Sequence, residues 1–216
     1  MITLHYFPGN ASLVPHLLLE ELGVPFELAL VDRTRQAHKS PDYLKLNPNV
    51  LIPVLVETSP AGDLVLYETA AICLHLLDAH PEAGLAPAPG TADRAHFYKW
   101  LTWLTNTVQA ALIIYFYPER WADDAAAIAQ VKAHAEARIG SLLDQLDAQL
   151  AAGGPWLLGA EFSALDLYAF VMCRWTRGFA RPARSLPHIA PYLQRVLTRP
   201  AVQRALATEG IAAPFV

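Results

Sequence analysis

Residues 46–73 read LNPNVLIPVLVETSPAGDLVLYETAAIC. Within them, Ile52-Pro53 heads a short apolar run, Val54-Leu55-Val56. A proline has no N–H to give to a sheet, so it belongs at the first position of a strand or at an edge. The Ile52–Pro53 bond is a candidate for the cis form, which costs an X-Pro bond only about 0.5–1 kcal/mol. In that form the carbonyl and N–H of Ile52 are expected to turn outward at the mouth of the strand, where an extended peptide can pair with them. Ser59-Pro60-Ala61-Gly62-Asp63 is a turn, and Leu64-Val65-Leu66 is a second short strand, so the two strands read as a hairpin. Glu68-Thr69 then precedes Ala70-Ala71-Ile72, the start of a helix. Helix N-termini offer free N–H groups and the positive end of a dipole, and so hold carboxylates. A backbone-pairing edge beside an anion-holding helix end makes a site for a small peptide.

Upstream of this stretch, Ile2-Thr3-Leu4-His5-Tyr6 has the character of a strand, and Pro8-Gly9-Asn10 that of a loop. Ser12 is placed to N-cap a helix that tolerates Pro15 in its first turn. Leu13, Leu17, Leu18 and Leu22 keep helical spacing, and Gly23 fits the position just past the helix end. Phe26–Val31 is a second strand, and strand–helix–strand implies a parallel pair with a right-handed crossover. Asp32–His38 is a polar loop. Ser40-Pro41 opens a short helix that ends at Asn47-Pro48, since Pro48 disfavours helical dihedrals at Asn47. The order is βαβαββα.

Downstream, residues 80–90 carry Pro81, Gly84, Pro87, Pro89 and Gly90, the composition of a linker. The division expected is 1–80, linker 81–90, and 91–216. Beyond the linker the strand signals stop. A helical pattern runs from Ala92 to about Tyr117, where Pro118 ends it, and a second from about Ala122 to Ala151, stopped by Gly153-Gly154. Ser163-Ala164-Leu165-Asp166 is a capping-box start to a helix that is apolar almost all round and therefore central. Leu186–Leu197 and Ala201–Leu206 are shorter helices.

The 216 residues suit one large or two small domains, and a hydrophobic fraction of 54% supports a sizeable core. No apolar run reaches the ~18 residues of a membrane span. MITLHYFPGN lacks a basic region followed by a long apolar core, which argues against a signal peptide. A net charge of −4 with no basic cluster argues against nucleic acid as a partner. Cys73 and Cys173 are far apart in apolar surroundings and form no CxxC, so neither a metal site nor a redox pair is expected. The expected compartment is the reducing cytoplasm.

Asn47-Pro48, Ile52-Pro53-Val54-Leu55 and Glu68-Thr69-Ala70-Ala71-Ile72, in that order and ahead of an all-helical half, resemble the glutathione S-transferase family. The Phe162-Ser163-x-x-Asp166 start is similar to the family's capping box, so the likeness covers nearly the whole chain. The resemblance implies a thioredoxin-like α/β domain followed by an all-α domain. It implies glutathione as co-substrate, no metal, a homodimer, and a hydrophobic electrophile as second substrate. It places the cysteinyl backbone of glutathione on Ile52 beside Pro53. It places the γ-glutamyl group on Glu68 and Thr69, and the glycyl carboxylate on Lys39, with His38 and Gln36 as weaker choices.

The thiol is a poor nucleophile until ionised. Lowering its pKa by ~2 units takes about 2.7 kcal/mol of preferential anion stabilisation, within reach of one or two hydrogen bonds to the charged sulfur. The local text PGNASLVPH is similar to the bacterial beta class, PGACSLxPH, but has Ala11 where that class has its cysteine. The donors expected are Ser12, Asn10 and Tyr6, in that order. The electrophile is expected between the domains, against Asn106, Gln109, Ile113, Tyr115 and Tyr117. The competing readings are a cysteine-independent glutathione peroxidase or disulfide reductase and a non-catalytic protein of the same fold. The SSCxxR-type loop of a maleylacetoacetate isomerase is absent.

Overall fold

Leu4 is fully buried at the centre of strand β1 (Ile2–Tyr6). It faces Leu28 of the parallel strand β2 (Phe26–Leu30) on one side and Leu55 of the antiparallel strand β3 (Val54–Ser59) on the other. Strand β4 (Gly62–Tyr67) completes the hairpin and the sheet order β2-β1-β3-β4. The computed structural model describes residues 1–216 and shows two compact units. The first comprises residues 1–84 and 198–213, the second residues 85–197 and 214–216.

In the first unit, helix α1 (Leu13–Leu22) crosses over from β1 to β2 and is buried from Leu13 through Leu19. That unbroken run, rather than one stripe, reflects packing on the sheet, on α3 (Thr69–Ala79) and on α9 (Pro200–Thr208). Gly23 ends α1 in the left-handed conformation with its N–H on the Leu19 carbonyl, as its position predicts. Helix α2 (Pro41–Leu46) starts where the Ser40 hydroxyl accepts from the Tyr43 N–H, and it stops at an extended Asn47 before Pro48. The order βαβαββα is therefore present.

The return of α9 was not legible. The sequence division put it in 91–216, yet it lies along α1, with Arg199 forked onto Glu21 and Arg204 paired with Glu20.

The second unit is all helical. Helix α4 (Ala92–Trp103) is capped by Thr91, whose hydroxyl accepts from the Arg94 N–H at 3.1 Å. A π-helical stretch, Leu104–Gln109, joins it to α5 (Ala110–Phe116) without a break, and Pro118 follows as expected. Helix α6 (Ala125–Gly153) is capped by Asp124. The centre is α7 (Ala164–Trp175), buried through Arg174. At its start the buried Asp166 carboxylate accepts from the N–H groups of Ser163 and Leu157, the Ser163 hydroxyl and the Tyr192 hydroxyl. Four donors on one buried carboxylate make Asp166 a structural keystone. Helix α8 (Ile189–Leu197) packs against α6 and α7. No helix is long and apolar enough to cross a membrane.

Candidate active site

Strand register decides where the expected residues meet. In β1, β3 and β4, His5 faces Val54 and Val54 faces Tyr67. One step further along each strand places Tyr6, Pro53 and Glu68 in a row, with Phe7, Ile52 and Thr69 beyond them. Tyr6 also pairs with Leu30, and its carbonyl accepts from the Val31 N–H at 2.8 Å, so the loop carrying Lys39 leaves β2 at the same end. The structure thus gathers Tyr6, Asn10, Lys39, Ile52, Pro53, Glu68 and Thr69 around one end of the sheet. Open α/β sheets bind ligands at such an end, in the crevice where loops and helix N-termini converge.

The Ile52–Pro53 bond is cis. Both side chains are buried, Ile52 against Val31, Tyr43 and Val54, but neither the N–H nor the carbonyl of Ile52 has a hydrogen-bond partner within the chain. Buried main-chain groups are nearly always paired, and this open pair has the donor and acceptor that an extended peptide could meet. Glu68 follows the last residue of β4 with φ of 73°, in the left-handed half of conformational space that a side chain rarely enters. It is exposed, its carboxylate has no partner, and its carbonyl accepts the Ile72 N–H that begins α3. The N–H groups of Thr69, Ala70 and Ala71 remain free at that helix end. A carboxylate beside free amides suits an amino acid's ammonium and carboxylate together. Lys39 is exposed and makes no ion pair. Arg33, three residues past the end of β2, lies over the Phe7 ring at 5.9 Å.

The three expected sulfur donors separate. Ser12 has helical dihedrals and caps nothing. It is fully buried, and its hydroxyl donates to the Phe7 carbonyl and accepts from the Phe7 N–H, both at 3.2 Å. The first-ranked donor is thus corrected: its only hydroxyl proton holds the loop closed, and no part of the residue reaches the surface. Asn10 is half-buried; its side-chain carbonyl accepts from the Ala11 N–H, while its amide NH2 has no partner. The Tyr6 hydroxyl is likewise without a partner, its ring edge-on to His16.

Two groups escaped the sequence reading. Glu209, after α9, accepts from the Gly9 N–H and from His16 Nδ1, both at 2.8 Å, and neither the His16 nor the Glu209 side chain is exposed. The loop before α1 is therefore anchored from the far end of the chain, and nothing local could have signalled it. Tyr43 and Asn47 both donate to the Leu51 carbonyl, at 2.7 and 2.9 Å. Of the residues expected near the electrophile, the Gln109 side-chain carbonyl accepts from the Tyr168 hydroxyl, and Tyr115 stacks on Phe179 at 4.1 Å beneath Lys132. Tyr117 lies under Arg120, Ile113 is half-buried and Asn106 is exposed. Tyr115 is thereby occupied, and the more exposed aromatic beside it is Phe116, edge-on to Trp175.

A thioredoxin-like sheet with this open mouth, followed by an all-helical unit, is the two-domain plan of proteins that take up a tripeptide thiol. Family models described as "Glutathione S-transferase, N-terminal domain" and "Glutathione S-transferase, C-terminal domain" match residues 11–79 and 115–199. Glutathione S-transferase GST-4.5 of Xanthomonas campestris is 31% identical over 204 residues, 94% of this chain and 97% of that one. A sphingomonad glutathione S-transferase solved with glutathione is 33% identical, with a TM-score of 0.82 over 97% of this chain and 100% of the other. A Sulfitobacter glutathione transferase homolog with bound glutathione is 28% identical, with a TM-score of 0.87 over 98% and 99%. The chain belongs to the glutathione S-transferase family. It is an enzyme of glutathione transfer, with glutathione as its co-substrate.

Proposed function

We propose that the protein ionises the thiol of glutathione and directs the thiolate at hydrophobic electrophiles. The observation that carries this reading is the unpaired main chain of Ile52, set by register beside the free amides that start α3. Glutathione lies there as an added strand. Its cysteinyl N–H and carbonyl pair with Ile52, its α-carboxylate meets Thr69 and the helix amides, and its ammonium meets Glu68. Lys39 receives the glycyl carboxylate. The Asn10 amide and the Tyr6 hydroxyl, both without partners in the chain, supply the hydrogen bonds that favour the thiolate. Two such bonds to a charged sulfur, at about 1.5–3 kcal/mol each, are enough to bring the thiol into ionisation near neutral pH.

Support for an apolar second substrate comes from the helical unit, where Phe116 is 44% exposed beside Trp175. A reductase cycle through a protein thiol has no reactive cysteine to use: burial pushes both Cys73 and Cys173 up to about 12, and Ala11 replaces the loop cysteine of the beta-like pattern. The same reading makes the protein a cytoplasmic homodimer, consistent with two free thiols and with the exposed Leu51, Leu64 and Val65 of the first unit.

The test is binding to immobilised glutathione followed by conjugation of a general aryl halide. Wild type is retained and conjugates. Glu68→Ala loses both an ion pair and a hydrogen bond to the ammonium, and weakens glutathione binding by about 10- to 100-fold. Indifference to that change would remove the γ-glutamyl assignment, and binding without turnover would favour a non-catalytic role.

A further inference from the structure

We infer that Tyr43 and Asn47 are positioning residues for glutathione: by drawing the Leu51 carbonyl inward with two hydrogen bonds, they aim the Ile52 N–H at the cysteinyl carbonyl of the co-substrate. The inference rests on the glutathione reading above and adds a mechanism for how the open main chain is held.

The argument begins with one peptide plane. The Leu51 carbonyl and the Ile52 N–H belong to the same peptide unit. That unit is trans, the only cis bond in the chain being the next one. In a planar trans unit the C=O and N–H point in opposite directions. Whatever fixes the carbonyl therefore fixes the N–H, facing the other way. Two donors fix it here: the Tyr43 hydroxyl at 2.7 Å and the Asn47 amide at 2.9 Å. Both residues are buried, at 6% and 2% exposure. Both donors thus act from the protein interior, and the N–H on the opposite edge of the plane faces away from them. It has no partner in the chain.

The donors are themselves held. The Tyr43 ring packs with Val31, Ile52 and Val54 and meets the His5 ring edge-on at 6.2 Å. Asn47 is tied at every polar group: its N–H donates to the Tyr43 carbonyl, its side-chain carbonyl accepts from the Asn49 N–H, and its main-chain carbonyl accepts from the Val50 N–H. Val50 bears the consequence. Its φ of 63° is left-handed, a conformation that costs a β-branched residue roughly 1–2 kcal/mol. A loop that keeps a valine in that conformation is being held by its contacts, and the Asn47 hydrogen bonds are those contacts. Burial pushes the Tyr43 hydroxyl far above its ordinary pKa, so it remains a donor across the working pH range.

Two variants isolate the effect. Tyr43→Phe removes one hydroxyl and keeps the ring. Asn47→Asp replaces the donor with an oxygen and keeps the acceptor for Asn49. The ligands are glutathione and an analogue whose Cys–Gly carbonyl is reduced to CH2, which has no acceptor for the Ile52 N–H. Each variant is expected to raise Kd and KM for glutathione about tenfold, equal to about 1.4 kcal/mol, with kcat at saturation within about twofold. The Kd of the reduced analogue, weak already in wild type, is expected to stay within about twofold. The double variant should cost little more than either single one, because both donors act on one plane. Should the double variant not fold, Tyr43→Phe alone carries the comparison. Equal weakening of both ligands, or an unchanged glutathione Kd with only a lowered Tm, would overturn the inference and leave the pair as core structure. A wild-type protein that holds neither ligand would overturn the glutathione site itself.

Discussion

Asn10 and Ser12 lie two positions apart, and the backbone sends them to different fates. A serine ahead of a helix can cap it only from an extended conformation. Ser12 instead has φ of −58° and ψ of −20°, already helical, which turns its hydroxyl back onto Phe7. Residue type and spacing were legible here, but the dihedral that decides where a hydroxyl points was not. Asn10→Ala is expected to lower kcat/KM by about 10- to 100-fold, the loss of one hydrogen bond to a charged sulfur, and to displace the pH–rate profile upward. Ser12→Ala should instead lower stability by about 1–2 kcal/mol, by unpairing the Phe7 N–H and carbonyl. Steady-state kinetics and urea unfolding on the two variants separate the roles. A large kinetic loss in Ser12→Ala with no loss of stability would reverse the assignment. The strand start after Ile52-Pro53 and the helix start at Glu68-Thr69 could be read from the sequence, because periodicity and proline chemistry already mark them.

Elements that close on neighbours in sequence were readable, and those that close at a distance were not. The hairpin of β3 and β4 follows from its turn residues, and α2 follows from Ser40, Pro41 and Pro48. The π-helical stretch in the α4–α5 helix leaves no mark in residue type, because it shifts register without changing composition. Beyond it Tyr115 stacks on Phe179, and Phe116 is the aromatic left open. The C-terminal stretch after α9 is the stronger case. Its Glu209 is the sole partner of His16 Nδ1 and also receives the Gly9 N–H, across about two hundred positions of chain. Glu209→Ala removes the acceptor of the buried His16 Nδ1 and the carboxylate that holds the half-buried Gly9 N–H, so a loss of about 1–3 kcal/mol is expected in chemical unfolding. Glu209→Gln, which keeps one acceptor, should lose about half of that. If the alanine variant unfolds at the wild-type midpoint, the brace contributes nothing.

At the scale of the molecule, the class and architecture were legible because few other plans share a βαβαββα-then-helices order. Neither cysteine takes part in any site. Both are fully buried and their thiols are pushed up to about 12, so the native protein should react with no equivalent of a thiol reagent at neutral pH and with two after denaturation. Reaction of the folded protein would show an opening that the packing does not contain. The first unit is built from both ends of the chain, and this bears on its birth on the ribosome. Residues 1–84 emerge well before α9, so the face of α1 that α9 covers stays bare until Thr208 has been synthesised. Until α9 follows, the nascent protein therefore carries a leucine-rich helix with one face bare, and the Gly9 loop beside the sheet mouth waits for its Glu209 brace.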